Sequence, residues 1–441
     1  MEYSPYRCLN PSFSSISNIK TCYFSPKTMH CYKLLNPLPL TLGKFSHSNT
    51  PSLNSIKMAL KAVHVSDVPN LIDQVTDNNV SFSLLSPRFS ATSKGMEVEV
   101  GNKSSLLKEG KFMVIGHRGN GMNKLQSSDP RLKSIKENSI LSFNTAASFN
   151  LDFVEFDVQV TKDGCPIIFH DDHILSEENG IVYEKRVTDL NLSEFLGYGL
   201  QKAGKVSKPL MRKNKDGKII RWDVNSDDTL CTLQEAFDKV EPKLGFNVEL
   251  KFDDHIVYQE DQLINVLHSV LQVVYEYAKD RPIIFSTFQP DAALLVRKLQ
   301  RTYPVYFLTN GGTEVYYDVR RNSLEEAIKL CLEGGLQGIV SEVKGVFRNP
   351  GAVSKIKDSK LSLLTYGSLN NVPESVYLQH LMGIDGVIVD FVKDITEAVN
   401  NLIKSVKAEE EVSSKEFGSK PQFSQTELSF LLKLIPELIQ Q

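Results

Sequence analysis

Short apolar runs recur between residues 111 and 404, separated by stretches with helical patterning, and few folds accept that rhythm. The runs are Phe112–Ile115, Phe153–Val158, Ile167–Phe169, Phe246–Leu250, Ile283–Phe285, Val305–Leu308, Gly338–Val340, Leu361–Leu364 and Val387–Val389. Among the intervening stretches, Ser139–Ser148 follows Asn138 as a cap candidate, and Gln262–Ala278 is long with a broad apolar face. Pro290–Leu299 carries Pro near its first position, and Ser323-Leu324-Glu325-Glu326 has the capping-box pattern for a helix that stops at Gly334-Gly335. Buried strands alternating with helices argue for a parallel α/β fold. About eight repeats, with polar residues at the strand ends, favour a TIM (β/α)8 barrel over an open sheet. With nine runs in hand, Ile167–Phe169 is the candidate for an extra strand returning from a hairpin. Such barrels keep their active sites at the C-terminal ends of the strands, where His117, Glu155 with Asp157, and Glu249 with Lys251 fall.

The stretch Asp152 to Asp172, DFVEFDVQVTKDGCPIIFHDD, carries the densest chemistry. Residues two apart in a strand share a face, so Glu155 and Asp157 point the same way. Asp163-Gly164 suits the positive-φ positions of a two-residue type I′ turn. That loop would set Asp157 opposite His170 and Glu155 opposite Asp172. Two carboxylates and an imidazole would then crowd one patch, which is unfavourable unless a cation sits between them. The same pattern also describes a solvated strand face.

Upstream, Val114-Ile115-Gly116-His117-Arg118-Gly119-Asn120-Gly121 sets His117 and Arg118 where a strand ends and a Gly-rich loop begins. Arg offers a rigid fork of donors to phosphate oxygens, and His titrates near neutrality. With Glu137-Asn138-Ser139, the hairpin, and Asn247-Val248-Glu249-Leu250-Lys251, the ordered set resembles the glycerophosphodiester phosphodiesterase family, in its plant, plastid-associated branch. The resemblance spans about Lys111 to Val392. It implies metal ligation by Glu155, Asp157 and Glu249, an all-oxygen set that suits Mg²⁺ or Ca²⁺ over zinc. It makes His117 and His170 the catalytic acid–base pair, with the assignment of roles open, and Arg118 a phosphate ligand. Lys251, two residues after Glu249, adds positive charge there, while Glu137 and Asn138 support the site. Asn138 also reads simply as a helix cap, and His173, His255, His268 and His380 read as ordinary core or surface residues. Asn150, Cys231 and Thr365-Tyr366-Gly367 depart from the family pattern, the last at the contacts on the glycerol side of the substrate. The implied reaction is cleavage of a small glycerophosphodiester to sn-glycerol 3-phosphate and an alcohol. Direct attack by water and initial attack by the glycerol hydroxyl are both open. The alternatives are a lysophospholipase D-type barrel, for which no acyl groove is legible, and a catalytically silent binding barrel, which should have lost one of these residues.

The remaining features bound where and with what such a barrel works. A formal net charge of −3 argues against a nucleic-acid binder, and no apolar run approaches the length of a transmembrane segment. Six cysteines without a CxxC pair indicate neither a zinc site nor a disulfide framework. Residues 1–57 are Ser-rich and basic with Glu2 as their one acidic residue, the composition of an organellar transit peptide. A chloroplast or other plastid is the expected destination, with the cytoplasm as the alternative if translation starts at Met58. Residues 58–110 read as a loosely ordered lead-in, and 111–404 as the barrel. Within the barrel, 197–228 is an insertion bearing Lys202, Lys205, Lys208, Arg212, Lys213, Lys215, Lys218 and Arg221 around Trp222. In the resembling family an insertion here covers the active-site face. Most of these charges read as a solvated loop, with one or two placed to meet an anionic substrate. Residues 405–441 read as a charged linker and a C-terminal amphipathic helix opened by Ser424-Gln425-Thr426-Glu427.

Overall fold

A computed structural model describes residues 111–201, 208–214 and 216–401 of the chain. The transit-peptide stretch, the lead-in and the C-terminal tail lie outside the described residues.

Eight of the nine apolar runs form one closed parallel sheet. Its strands are β1 (Met113–Gly116), β2 (Phe153–Val160), β9 (Gly245–Leu250), β10 (Ile283–Thr287), β11 (Val305–Thr309), β12 (Gly338–Glu342), β13 (Ser362–Tyr366) and β14 (Gly386–Val389), and the pairing of β1 with both β14 and β2 closes the barrel. The ninth run supplies β3 (Pro166–Ile168), antiparallel to β2. Helices cover the outside: α1 (Ile140–Ala147), α3 (Leu233–Lys239), α4 (Glu260–Tyr277), α5 (Pro290–Leu299), α6 (Leu324–Gly334), α7 (Val343–Arg348), α8 (Gly351–Asp358) and α9 (Pro373–Leu381). Their caps follow the local chemistry. The Ser323 side chain accepts from the Glu326 amide to open α6, and Gly335 closes it at φ 64°.

Alternation along the strands divides the apolar residues into two cores. Phe143, Phe156, Phe246 and Phe285 belong to the larger one, between sheet and helices. Phe156 packs against Phe143 and Phe246 with ring centroids 5.1 and 4.9 Å apart, so its truncation to Ala should cost about 3–5 kcal/mol. The other core fills the barrel: Met113, Ile115, Phe153, Ile284, Tyr306, Leu308, Val340, Leu364 and Ile388. Gly245 makes room for it, since a Cβ there would come within 2.4 Å of the Phe153 ring. Continuing these inward columns two residues at a time leads from Ile115 to His117, from Phe153 to Glu155 and Asp157, from Gly245 to Asn247 and Glu249, and from Ile388 to Asp390. The barrel is therefore apolar at its base and ionisable at the C-terminal mouth of its strands.

An arm of antiparallel structure stands over that mouth. It contains β4 (His173–Glu178), β5 (Ile181–Arg186), α2 (Leu192–Phe195), β6 (Leu210–Lys213) and β7 (Ile219–Arg221), with strand order β5-β4-β6-β7; β8 (Cys231–Thr232) then returns the chain to β3. Asn179-Gly180, at φ 54° and 79°, forms the tight turn between β4 and β5. Ile167, Phe169, Ile174, Phe195, Leu210 and Trp222 give the arm its own core. The basic interval expected to be a solvated loop is thus partly sheet. Its apolar alternation is short, and burial of Trp222 and Leu210 supplies what the sequence pattern does not announce.

Candidate active site

The hairpin that opens the site differs by one residue from the expected register. Val158 pairs with Ile168 and Val160 with Pro166, and the Phe169 amide donates to the Asp157 carbonyl at 3.0 Å. Asp157 therefore lies opposite Phe169 and not His170, and Glu155 is not level with Asp172. The cause is the turn. Gly164, at φ 80°, ends a three-residue loop closed by the Thr161 amide donating to the Cys165 carbonyl at 3.0 Å, in place of the two-residue loop. His170 leaves the ladder and still comes near Asp157, Arg118 and Lys251, whose charges act on it.

The parallel register of β2 and β9 brings the acidic residues together, with Asp157 beside Glu249. Glu155, Asp157 and Glu249 each offer an oxygen, all within 4.8 Å of one another. Burial, then the Asp157 charge, pushes Glu155 up to about 8. Glu249 is raised as well, because burial and Asp157 outweigh Lys251. Asp157 is buried too, yet His170, Arg118 and Lys251 hold it well below the usual carboxylate range. The buried Oε1 of Glu155 has no hydrogen-bond partner. Three crowded oxygen donors, one of them unsatisfied, fit a hard divalent cation such as Mg²⁺ or Ca²⁺.

Positive charge surrounds this cluster. After β1 the backbone turns left-handed at Arg118 (φ 50°) and Gly119 (φ 92°), held by the Arg118 carbonyl accepting from the Asn138 amide at 3.0 Å and from Ser142 Oγ at 3.1 Å. A Cβ on Gly119 would lie 2.4 Å from Ser142 Oγ, so this turn requires glycine. The turn directs the Arg118 amide to Glu155 Oε2 at 3.0 Å and its guanidinium to Glu137 Oε1 at 2.8 Å and Asp157 Oδ2 at 3.5 Å. Lys251 Nζ lies 3.1 Å from Glu249 Oε1 and 3.8 Å from Asp157 Oδ1. Asn138, at φ 54°, is not the cap of α1; Ser139 is, and the Asn138 side chain donates to Asp157 Oδ2 at 2.8 Å.

Each histidine has a carboxylate behind it. His117 Nδ1 is 2.7 Å from Asp390 Oδ1, and its Nε2 is 4.0 Å from Glu155 Oε2. Burial works against its protonation, but the Asp390 charge and hydrogen bond win and raise it. His170 Nδ1 is 2.7 Å from Asp171 Oδ1. Burial, then Arg118 and Lys251, lowers His170 to about 4. All nine residues singled out in the sequence thus meet at one mouth of the barrel. Asp390, Asp171 and Arg212 join them without having been singled out. Beside the cluster, a cavity of about 160 Å³ is bordered by Lys251, Phe252, Phe288, Asn310, Tyr316 and Arg321. Tyr366, at the position where the chain departs from the family pattern, donates its hydroxyl to Asn310.

Cationic donors, a carboxylate cluster that could hold a metal and two carboxylate-braced imidazoles, gathered at the mouth of a parallel barrel, are groups that phosphodiester cleavage can use. Comparison with known proteins agrees. Residues 117–394 match the glycerophosphoryl diester phosphodiesterase family. Glycerophosphodiester phosphodiesterase GDPD1, chloroplastic, of Arabidopsis thaliana is 62% identical over 385 residues, 87% of this chain and 100% of that one. Glycerophosphodiester phosphodiesterase GDPD2 of the same plant is 60% identical over 394 residues, again 87% and 100%. Glycerophosphocholine phosphodiesterase GDE1 of Candida albicans is 32% identical over 337 residues, 65% of this chain and 28% of that one. The chain belongs to the glycerophosphodiester phosphodiesterase family and is an enzyme of that activity.

Proposed function

We propose that the enzyme hydrolyses small glycerophosphodiesters, glycerophosphocholine among them, to sn-glycerol 3-phosphate and an alcohol in a divalent-metal-dependent reaction. The observation that supports this reading most is the partnerless, buried Glu155 oxygen within the Glu155–Asp157–Glu249 cluster, flanked by Arg118 and Lys251. Glu155, Asp157 and Glu249 would hold Mg²⁺ or Ca²⁺, which would supply positive charge for the phosphoryl oxygens as negative charge develops on them. Arg118 and Lys251 bind the remaining phosphate oxygens by charge-assisted hydrogen bonds. Glu137 and Asn138 fix the orientation of Arg118 and Asp157. His170, whose protonation is disfavoured, takes the proton of the nucleophile, either water or the glycerol hydroxyl, the latter giving a cyclic phosphate that water then opens. His117, whose protonated form Asp390 favours, gives a proton to the departing alkoxide as the phosphorus–oxygen bond breaks.

The test is incubation of the purified full chain with glycerophosphocholine, with and without chelator, beside lysophosphatidylcholine. Expected is release of glycerol 3-phosphate that chelator abolishes and Mg²⁺ or Ca²⁺ restores. No release at any level of either metal contradicts the reading, and a preference for lysophosphatidylcholine replaces it with the lysophospholipase D-type one.

We also propose delivery to plastids by residues 1–57. Their acid-poor, Ser-rich composition and the chloroplastic designation of the Arabidopsis relative support it. A fluorescent fusion to residues 1–60 should enter plastids; a cytosolic fusion, or a native chain beginning at Met58, excludes the signal.

A further inference from the structure

Arg212 stands in the arm, 41 residues from Asp171 and 75 from Glu137 in sequence, and touches both. Its Nε and one terminal nitrogen donate to Asp171 Oδ2 and Oδ1 at 2.9 and 2.7 Å. The same terminal nitrogen lies 2.9 Å from Glu137 Oε1, the oxygen that also receives Arg118 at 2.8 Å. The other terminal nitrogen donates to the Asn123 carbonyl at 3.3 Å, and the guanidinium lies over the Trp222 ring at 4.0 Å. Trp222 is itself buried and anchored by its Nε1 donating to Asn123 Oδ1 at 3.0 Å. Four of the five N–H donors of this planar group are thus committed, and a flexible ammonium cannot reproduce the bridge. Arg212 contacts neither the carboxylate cluster nor a histidine. It contacts the carboxylate behind His170 and the carboxylate behind Arg118.

We infer that Arg212 is a positioning residue through which the arm sets His170 and Arg118 in mutual register. The inference rests on the roles proposed above for those two residues. A basic arm could instead merely attract an anionic substrate, and the two readings differ in what they move. Attraction depends on net charge, so it would change KM and salt dependence and be shared by neighbouring cations. Register depends on the bidentate fork, so its loss falls on kcat.

The experiment compares the wild type with R212A, R212K and R221A in the full chain, on glycerophosphocholine at saturating Mg²⁺. Arg221 lies on β7 with an exposed side chain paired to Asp223 at 3.0 Å, and so controls for one lost charge in the arm. Expected is a fall in kcat of about 10- to 100-fold in R212A, the range typical of a residue that orients a direct ligand. KM should change by less than about threefold, R212K should stay close to R212A, and dissolved guanidinium should restore part of the rate of R212A only. R221A should match the wild type, and R212A/D171N should be no slower than the slower single variant. Trp222, the chain's one tryptophan, reports by its fluorescence whether the arm remains packed. If R212A does not fold, R212K carries the test: kcat at the wild-type level overturns the inference. A raised KM with unchanged kcat, shared by R221A, also overturns it. A wild type without activity overturns the function and this inference together, whereas an active wild type beside an undiminished R212A overturns this inference alone.

Discussion

Two histidine–carboxylate pairs stand at the mouth of the barrel, and their hydrogen bonds are alike. His117 meets Asp390 and His170 meets Asp171, both at 2.7 Å. Their proton affinities nevertheless diverge, raised at His117 and lowered to about 4 at His170. Burial works against protonation of both rings, so the difference lies in the charges they meet: Asp390 outweighs burial at His117, whereas Arg118 and Lys251 add to it at His170. Asp390 has neutral companions, the Met122 amide at 3.1 Å and the Asn371 side chain at 2.9 Å, so its charge is left for the imidazole. Asp171 also receives the Arg212 fork, and its hydrogen bond to His170 does not offset burial, Arg118 and Lys251. The same hydrogen-bond length thus accompanies opposite shifts, set by the charges around each ring. Opposite shifts on the same two residue types suit the opposite proton-transfer roles proposed for His117 and His170.

The largest effect is expected from removing the acidic floor that both pairs share. Glu155→Gln and Glu249→Gln should each abolish glycerol 3-phosphate release and weaken metal binding while the barrel stays folded, with excess metal restoring part of the rate. Calorimetric metal affinity equal to that of the wild type in both variants would remove these residues from the metal site. His117→Ala and His170→Ala come next, each costing about 10²- to 10⁴-fold in kcat. If the two serve one proton cycle, the double variant should be little slower than either single one. Additive losses in that cycle would mean that the two pairs work independently.

The smallest effect is one of stability and tests the neutralising arginines. Burial would raise Glu137, but Arg212 and Arg118 outweigh it and lower the carboxyl to about 2. A carboxylate whose folded value is depressed stabilises the fold above its unfolded value, about 4.5, and loses that contribution as pH falls through the folded value. Denaturant midpoints should thus show the wild type more stable than Glu137→Gln at pH 7, with the gap shrinking between pH 4.5 and pH 2. A gap independent of pH would show that Glu137 packs there without the electrostatic role.

The barrel was legible because its strands are short, apolar and separated by capped helices, and the ninth run proved to be the hairpin return. Asn150 adopts φ 59°, the left-handed conformation that its place before β2 asks for. The hairpin register was not legible, since Asp-Gly suits a two-residue and a three-residue turn alike, and only the ladder decides between them. Asp390 could have been found. It is the next inward position after Gly386 and Ile388, in the same phase that leads from Ile115 to His117. Arg212 could not, because nothing local separates it from Arg221 or Lys213; burial against Trp222 does so.

The contrast between the two pairs is tested most directly by leaving-group chemistry. His117→Ala and His170→Ala are each assayed on a glycerophosphate ester of an ordinary alcohol and on the corresponding p-nitrophenyl ester, whose leaving group departs without a proton. Expected is recovery of His117→Ala by about 10²-fold or more on the p-nitrophenyl ester, while His170→Ala stays impaired on both. Recovery of His170→Ala with no recovery of His117→Ala would reverse the roles and contradict the account of how the charges around the two rings divide the work.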